Sequence, residues 1–378
     1  MRVALVTESF LPSVNGVTNS VIRVIDTLKE HDHEVLIIAP TRTSPTYQGF
    51  DVVTSPFLPL GGFPVAIPPP SLTAQLDRFQ PDLIHAAAPF WLGGQALAHA
   101  AKRGIPSIAV YQTDVAGYMQ RYGLEFAGPI LDAVTAAIHR PATLSLAPTP
   151  DGKGYLNSLG INNVELWGRG VDDVLFTPAR KTTDRVRELR TRLAPHGRKI
   201  IGYVGRLAPE KQVGRLIELC ELKGTHLVIV GDGPDRSELE TRFTGHPVTF
   251  AGRLSGGDLA DAYAAMDVFV HCGTEETFGQ TIQEAHASGV PVIAPNKGGQ
   301  RHLIRDGVDG YLVDASIWGS FRDAVATVIS DPTVLKNMSE QARWGVAGKT
   351  WKKNNESLLG YYATARDALE TREVTVAA

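Results

Sequence analysis

Two carboxylates, Glu276 and Glu284, lie eight positions apart in a segment that begins at His271. The apolar run before Glu276 predicts a strand and residues 281–288 predict a helix, so Glu284 falls about two turns into that helix, on the same side as Glu276. Carboxylates accept hydrogen bonds from sugar hydroxyls, and free amides at a helix N-terminus hold phosphate. The amides in question belong to Phe278, Gly279 and Gln280. The segment predicts a site for a sugar joined to a nucleotide diphosphate; a solvated helix face is the alternative.

Two cations, Arg206 and Lys211, follow the predicted strand 199–204. Ligands of doubly wound sheets bind beyond the carboxyl ends of the strands. Positioned cations there would stabilise the negative charge that develops on a leaving nucleoside diphosphate. The chain contains no Asp-x-Asp sequence. We therefore expect a site that holds no metal and needs no cofactor besides its nucleotide-linked substrate, with exposed basic loop residues as the alternative.

The first predicted strand leads into the loop 8–17, where Gly16 would let the backbone approach an anionic ligand at a helix start. An ordinary turn is the alternative. The strand 107–111 leads to Gln112 and Asp114. Gln112 can hydrogen-bond a sugar hydroxyl or a pyrophosphate oxygen, but it cannot exchange protons. Asp114 is the nearest ionisable candidate for meeting an acceptor hydroxyl, and a helix cap is its alternative role.

Three residues are candidates for binding an acceptor. His85 lies at the carboxyl end of the strand 82–85, where site residues gather, and Tyr118 and Arg121 lie on a later helical stretch. A buried structural histidine and an ordinary helix face are the alternatives.

Two short turns close successive strands in the second half of the chain. Backbone amides in such turns could hold a nucleobase and a ribose, and simple turns are the alternative. The residues singled out there are Gly231, Arg253 and Leu254. They do not distinguish guanine from uracil.

The composition is that of an ordinary globular protein. Of 378 residues, 43% are hydrophobic and 20% are charged, and the net charge of -3 gives no reason to expect disorder or nucleic-acid binding. The two cysteines, Cys220 and Cys272, are expected to be buried thiols in a reducing compartment. The N-terminal apolar run is too short for a signal peptide, and no stretch is long enough to span a membrane. We expect a cytoplasmic protein with no evident protein partner.

Strand-like runs alternate with amphipathic helices in two series, which predicts an α/β protein with two parallel sheets covered on both faces. The strand-like runs are 3–7, 34–39, 82–85, 107–111 and 144–147, then 199–204, 226–230, 248–251, 268–271 and 291–294. Glycine and proline between 168 and 178 mark a connector. The predicted domains are 1–172, joined by a final helix at about 358–378, and 173–357.

The stretch 57–70 is apolar and rich in proline and glycine, which predicts a segment without regular secondary structure. It is interpreted as a buried loop or as a mobile loop at the rim of a site for an apolar acceptor. Residues 1–172 hold 11 Lys and Arg against 14 Asp and Glu, so this part of the chain is not basic overall. Contact with a membrane would have to be local, through 57–70 or through 118–140.

Taken together, these motifs resemble glycosyltransferase family 4, a group of retaining GT-B enzymes. They are completed by Trp-Gly-Arg-Gly-Val-Asp at 167–172 and by Gly298-Gly299. The resemblance implies two Rossmann-like domains that face a cleft, an N-terminal one for the acceptor and a C-terminal one for the nucleotide-sugar, with a last helix that crosses back to the first. It also implies that Glu276 holds donor-sugar hydroxyls, Glu284 the ribose, and Arg206 with Lys211 the diphosphate. Gln112 stands where many members carry histidine, so a base role there does not transfer.

More narrowly, residues 8–12, 15–17 and 167–172 are similar to actinobacterial α-mannosyltransferases that act on glycolipids. This resemblance implies transfer of mannose from GDP-mannose to a lipid acceptor hydroxyl, with the α configuration retained, at the inner face of the cell membrane. A UDP-sugar-dependent glucosyl- or sulfoquinovosyltransferase is the alternative, and a nucleotide-sugar epimerase a minor one. The acceptor lipid, the linkage, the general base and the oligomeric state stay open.

Overall fold

The computed structural model describes residues 1–13, 15–60, 63–112 and 128–377. The chain divides into two compact units. Unit 1 comprises Met1–Arg169 and Trp351–Ala378, and unit 2 comprises Gly170–Thr350. The sequence placed these divisions after residue 172 and near residue 357, so the observed boundaries lie slightly earlier in the chain. Each unit is a Rossmann-like α/β structure built on a mainly parallel sheet, as the two series of strands predicted.

Unit 1 contains an eight-stranded sheet with the strand order β10-β9-β8-β7-β1-β2-β4-β3. All neighbouring pairs are parallel except β3 with β4. Its strands are β1 (Arg2–Thr7), β2 (Glu34–Ala39), β3 (Thr46–Tyr47), β4 (Phe50–Thr54), β7 (Leu83–Ala87), β8 (Ser107–Val110), β9 (Leu144–Ala147) and β10 (Val164–Leu166). The central strands are buried along their length because helices cover both faces.

The helices of unit 1 follow the strands along the chain. They are α1 (Gly16–Glu30), α2 (Leu72–Phe79), α3 (Trp91–Arg103), α4 (Gly128–His139), α5 (Pro150–Ser158) and the C-terminal α12 (Trp351–Ala377). Alternate residues of β1 point to opposite faces. Val3 and Leu5 join the core with α1 and α12, whereas Ala4 and Val6 join a second core with α2 and α3.

The prediction that 57–70 contains no regular element is wrong. Two short strands, β5 (Phe57–Leu60) and β6 (Phe63–Ala66), form an antiparallel pair in which Pro59 lies opposite Pro64. Opposed residues in such a pair alternate between hydrogen-bonded and non-hydrogen-bonded positions. Proline lacks an amide hydrogen and is tolerated in strands that form a sheet edge. A two-stranded pair has only edge strands, so it accommodates both prolines at one position of the ladder.

The C-terminal helix packs on unit 1, as the family resemblance implied. Leu358, Tyr362 and Ala365 of α12 are buried in the core that contains β1 and α1. The indole nitrogen of Trp167 donates to the carbonyl of Asn354, 3.0 Å away. The helix begins at Trp351, several residues before the predicted start near 358.

Unit 2 contains a six-stranded sheet with the order β13-β12-β11-β14-β15-β16, and every neighbouring pair is parallel. Its strands are β11 (Lys199–Val204), β12 (Thr225–Val230), β13 (Val248–Gly252), β14 (Val268–Val270), β15 (Val292–Pro295) and β16 (Gly310–Val313). Its helices are α6 (Asp184–Leu193), α7 (Arg236–Arg242), α8 (Gly256–Ala265), α9 (Gln280–Ala287), α10 (Ser320–Ser330) and α11 (Pro332–Gly345). Cores on the two faces of this sheet bury alternate residues of its strands.

The strand order creates a switch point in each unit. In unit 1 the chain runs outward from β1 to β2 on one side and resumes with β7 on the other. In unit 2 it runs from β11 to β12 on one side and resumes with β14 on the other. Loops on either side of such a point diverge and leave a crevice at the carboxyl ends of the strands, where ligands bind.

No helix in the described ranges is both long enough and apolar enough to cross a bilayer.

Candidate active site

A lysine and a glutamate meet at the switch point of unit 2. Lys211 ends a 3₁₀ turn (Pro209–Lys211) in the loop after β11, and Glu276 lies in the loop after β14. The Lys211 Nζ lies 2.7 Å from Glu276 Oε2, and both side chains are about one-fifth exposed. Burial by itself would lower the pKa of Lys211, but the charge and hydrogen bond of Glu276 outweigh it and raise that pKa. The structure thus brings together two residues that the sequence assigned to one site.

The second glutamate of the motif has a different environment. Glu284 is the fifth residue of α9, so it lies just over one turn into the helix rather than the predicted two. Its Oε2 accepts a hydrogen bond of 3.0 Å from the Tyr263 hydroxyl. Burial raises the pKa of Glu284 to about 7, and the Tyr263 hydrogen bond opposes that shift. Removing a carboxylate from water disfavours its charged form unless a cation compensates. Glu284 therefore titrates near neutrality, whereas Glu276 faces a lysine.

His271 is a neighbour of this pair that the sequence reasoning did not select. It directly follows β14, is 3% exposed, and places Nε2 3.8 Å from Glu276 Oε2. Burial lowers the pKa of His271 to about 4, so the ring is neutral at pH 7. Neither ring nitrogen has a hydrogen-bond partner in the described part of the chain. In the sequence, only its position at the start of the segment that contains Glu276 indicated that His271 belongs to this site.

The start of α9 is suited to an anion. Gly279 caps the helix with a left-handed φ of 105°, which a residue with a side chain rarely adopts. The cap residue Gly279 has no side chain to accept from the first amides, and no acidic residue lies in the first turn. The positive end of the helix dipole is thus left to an incoming anion. The Phe278 side chain is itself buried, and Gln280 donates from Nε2 to the carbonyl of Gly170 at 3.0 Å.

Glycines around this site permit close contact between loops. A Cβ on Gly231 would lie 1.8 Å from the carbonyl oxygen of Gly205, and one on Gly299 would lie 2.3 Å from that of Thr277. Gly231 therefore lets the turn after β12 pack closely against the loop that carries Arg206. Arg253 is exposed and Leu254 is half-buried. Base and ribose recognition by these turns stays a prediction.

In unit 1 the loop after β1 is held by a network of polar side chains. Asn15 caps α1, since its Oδ1 accepts from the amides of Val17 and Thr18 at 3.0 Å each. Its Nδ2 donates to Ser9 Oγ at 2.8 Å, and Ser9 Oγ lies 3.0 Å from Thr18 Oγ1. Asn15 has extended backbone with a φ of -149°. Asn15 therefore serves as the N-cap of α1.

Arg169 is another residue that the sequence reasoning left without a role. Its Nη2 donates to Gln112 Oε1 at 3.3 Å, and a Cβ on Gly16 would lie 2.6 Å from its Nη1. Arginine only donates hydrogen bonds, so the Gln112 amide must turn its oxygen toward Arg169. Gly16 and Gln112, both predicted for the site, therefore contact the same guanidinium. The other predicted residues of this region, Asp114, Tyr118 and Arg121, lie outside the described residues.

The hypothesis that His85 binds an acceptor needs correction. His85 is 1% exposed, and its Nδ1 lies 2.8 Å from the Tyr362 hydroxyl on α12. The ring also meets Trp167 edge to face, and burial lowers the pKa of His85 to about 3. A neutral histidine enclosed by core aromatic rings fastens α12 to the sheet rather than presenting a group to a ligand.

Glu8 lies at the carboxyl end of β1, at the switch point of unit 1. Its Oε1 accepts hydrogen bonds from the amides of Phe90 and Gly93, at 2.9 and 3.0 Å, at the start of α3. Burial raises the pKa of Glu8, and the nearby amides at the start of α3, that of Gly93 first, oppose that shift. The carboxylate therefore links the loop after β1 to the helix after β7.

Within the described ranges no group of three or more His, Cys, Asp or Glu side chains is arranged to hold a metal ion. A metal-independent reaction stays a prediction. Both cysteines are free; Cys272 is buried and Cys220 is half-buried.

Known proteins resemble the chain over nearly its whole length. The model "Glycosyltransferase Family 4" matches residues 14–175, and "Glycosyl transferases group 1" matches residues 185–344. A GDP-mannose-dependent alpha-mannosyltransferase of Mycolicibacterium smegmatis is 44% identical over 96% of this chain and 97% of its own length. Another protein of that name, from Corynebacterium glutamicum, is 43% identical over 96% of this chain and 89% of its own.

The fold also matches solved structures. The crystal structure of Anabaena HepE in complex with UDP superposes with a TM-score of 0.80 at 19% identity, covering 96% of this chain and 100% of that one. At this identity the likeness concerns the fold alone. The matching family model and the sequence identity to the mycobacterial protein show the family: the chain belongs to glycosyltransferase family 4 and has the GT-B fold.

Proposed function

We propose that this protein transfers mannose from GDP-mannose to an acceptor hydroxyl and retains the α configuration. The observation that carries the chemistry is the contact between Lys211 and Glu276 at the switch point of unit 2. It joins a cation for phosphate to a carboxylate for sugar hydroxyls within one crevice. The choice of mannose and guanine is supported by the mycobacterial relative, whose name states that donor and whose sequence matches across 96% of this chain.

Each donor contact follows from the chemistry of one side chain. Lys211 and Arg206 neutralise the diphosphate, and the uncapped start of α9 supplies amide donors. Glu276 accepts hydrogen bonds from hydroxyls of the donor sugar, and Glu284 from the ribose. Lys211 then shares its charge between the phosphate and Glu276, which orients both.

In the transfer step the bond between the sugar anomeric carbon and the phosphate oxygen breaks, and the acceptor oxygen bonds to the same face of that carbon. The proton of the acceptor hydroxyl passes to the leaving diphosphate, which gains the electron pair of the broken bond. Gln112 cannot accept a proton, so it contributes hydrogen bonding only. Lys211 and Arg206 lower the energy of the charged leaving group as it separates.

The acceptor we propose is a glycolipid hydroxyl, met at the inner face of the cell membrane. Support comes from apolar side chains on the hairpin of unit 1, where Phe57 and Leu58 are 45% and 49% exposed. Exposed neighbouring apolar residues of this size are suited to contact with a lipid surface. No charged residue lies between 57 and 70, so attachment would be apolar and local.

The decisive experiment supplies radiolabelled GDP-mannose, and UDP-glucose in parallel, to the purified protein with membrane lipids from an actinobacterium. We expect label from GDP-mannose alone to enter the organic phase. Label from UDP-glucose alone would overturn the donor but keep the family. Label that stays in the aqueous phase on a soluble product would overturn the lipid acceptor.

A further inference from the structure

The carboxylate of Glu8 bridges two loops at the switch point of unit 1. Glu8 directly follows β1, and its Oε1 is held by the amides of Phe90 and Gly93 at the start of α3, the helix that follows β7. β1 and β7 are the adjacent strands between which the direction of the connections reverses. The crevice beyond such a point is where ligands of doubly wound sheets bind. Glu8 thus holds a ligand position for which the motifs named no residue.

Only one oxygen of this carboxylate is satisfied. Glu8 Oε2 is buried and has no hydrogen-bond partner in the part of the chain that the structure describes. A carboxylate offers about four lone-pair positions, and the two amides are both bound by Oε1. A buried acceptor left without a donor loses the hydration energy that it had in the unfolded chain. Oε2 is therefore a buried acceptor at the carboxyl end of β1 that the described residues leave without a donor.

The neighbouring polar side chains of the loop do not fill this role. Asn15, Ser9 and Thr18 hydrogen-bond to one another and to the first amides of α1. These contacts do not involve Glu8, and the hydrogen bonds of Glu8 to the start of α3 use only Oε1. None of these contacts uses Oε2 of Glu8.

We propose that Oε2 of Glu8 binds a hydroxyl group of the acceptor substrate. This inference rests on the proposed glycosyl transfer and adds a residue to its acceptor site. A hydroxyl donates to a carboxylate and accepts from a carboxylic acid, so it pairs with Glu8 in either protonation state. A phosphate or carboxylate group would be repelled by the ionised form. Glu8 takes the acceptor-binding role in unit 1 that was predicted for His85.

The test is the variant Glu8→Gln in the full-length protein. Its side-chain oxygen can still accept from Phe90 and Gly93, so the α3 cap is kept, while the second position becomes an amide donor. With the lipid extract and GDP-mannose as substrates, we expect the acceptor KM to rise or kcat to fall about tenfold or more. GDP affinity, donor KM and the slow hydrolysis of GDP-mannose without acceptor should not change.

Asp331→Asn is the matched control, because Asp331 caps α11 by accepting from the Thr333 amide at 2.7 Å. It should leave transfer unchanged. Wild-type acceptor kinetics in Glu8→Gln would mean that Oε2 meets water only and would overturn the proposal. Equal damage to donor hydrolysis and transfer would overturn it too, since the contact would then be with the donor sugar. Absence of transfer by the wild-type protein would instead count against the proposed function.

A second measurement needs no variant and covers the case in which Glu8→Gln does not fold. Acceptor bound at Oε2 orders the carboxylate, so the amides of Phe90 and Gly93 should exchange hydrogen more slowly in the wild-type protein when lipid extract is added. GDP alone should not slow them. Unchanged exchange with lipid that is being turned over would contradict the inference.

Discussion

Although burial of Lys211 opposes it, the neighbouring Glu276 keeps the pKa of that lysine high. Each lies in a separate loop, and their 2.7 Å contact compensates the loss of hydration that both suffer at about one-fifth exposure. In the proposed donor complex the diphosphate would add negative charge beside Lys211 and further stabilise its charged form. The pair is therefore part of the free site and of the loaded one.

Lys211→Ala should reduce kcat/KM about 100- to 1,000-fold, because one charge-stabilising group is lost from the transition state. The variant should stay folded by circular dichroism, since this side chain is not fully buried. Steady-state mannosyl transfer is the measurement. Lys336→Ala is the control, because Lys336 lies 4.0 Å from Glu340 in an exposed pair on α11. Equal rates in Lys211→Ala and the wild type would remove Lys211 from the site.

Glu284 gives the site a pH dependence. Its pKa is raised to about 7, so it is ionised above neutrality and becomes protonated as the pH falls through 7. If the ionised form accepts from the ribose hydroxyls, GDP affinity should weaken about tenfold per pH unit well below that pKa. Calorimetric titration of GDP between pH 5 and 8.5 measures this. The ratio of wild-type to Glu284→Gln affinity should fall at low pH, and a constant ratio would contradict the ribose role.

Glycine is required at position 16 because of the neighbouring Arg169 side chain, not because of an unusual backbone conformation. Its φ is not in the left-handed region, but a Cβ would lie 2.6 Å from Arg169 Nη1. Gly16→Ala should therefore displace the guanidinium from Gln112 and lower kcat/KM about tenfold or more, with little change in Tm. Gly154→Ala is the matched control, since no heavy atom lies within 4 Å of its Cβ. A fall in Tm that accounts for the lost activity would make the effect structural.

At the scale of elements, the C-terminal helix α12 completes unit 1. It supplies buried apolar residues to the core of β1 and α1, and its Tyr362 holds His85. Asn355 adds a further bond from Nδ2 to the carbonyl of Arg23 in α1, at 2.8 Å. A helix 27 residues long is thus fixed at several points along its first half.

Tyr362→Phe should lower the free energy of unfolding by about 1–3 kcal/mol, because it leaves His85 Nδ1 buried without its partner. Urea denaturation followed by fluorescence measures the loss. Tyr361→Phe is a good control, since the Tyr361 hydroxyl donates to the carbonyl of Leu166 at a more exposed position. It should cost less than 1 kcal/mol. Acceptor kinetics should be normal in Tyr362→Phe; a raised acceptor KM would restore His85 as a ligand-binding residue.

At the scale of the whole molecule, the hairpin β5–β6 is the proposed contact with the lipid surface. The double variant Phe57→Ser/Leu58→Ser removes two exposed apolar side chains while leaving the buried Ala66 that anchors β6. We expect binding to vesicles of the same lipid extract to fall about tenfold or more in a flotation assay, because apolar burial is lost. Val174→Ser, at an 83% exposed position of unit 2, is the control. Undiminished flotation would end the membrane role of the hairpin.

The sequence by itself determined the two-unit α/β fold and the two loops of unit 2 in which Lys211 and Glu276 meet. Buried parallel strands are apolar along their length and are followed by amphipathic helices, so β1, β7, β11 and β14 could be read locally. It did not reveal β10 or β16, which are edge strands of their sheets and bury only their first residue. Nor did it reveal the hairpin. Proline and glycine content is a local property, and it does not show that 57–60 pairs with 63–66.

Only the tertiary structure decided which side chains meet. It placed Lys211 on Glu276 and Arg169 between Gly16 and Gln112, and it enclosed His85 behind Tyr362. These contacts join residues between 57 and 277 positions apart, across loops whose directions depend on strand order. A histidine at a strand end looks the same in sequence whether it faces solvent or a returning helix. Spacing shows where chemistry gathers, and packing decides which of those groups remain open to a ligand.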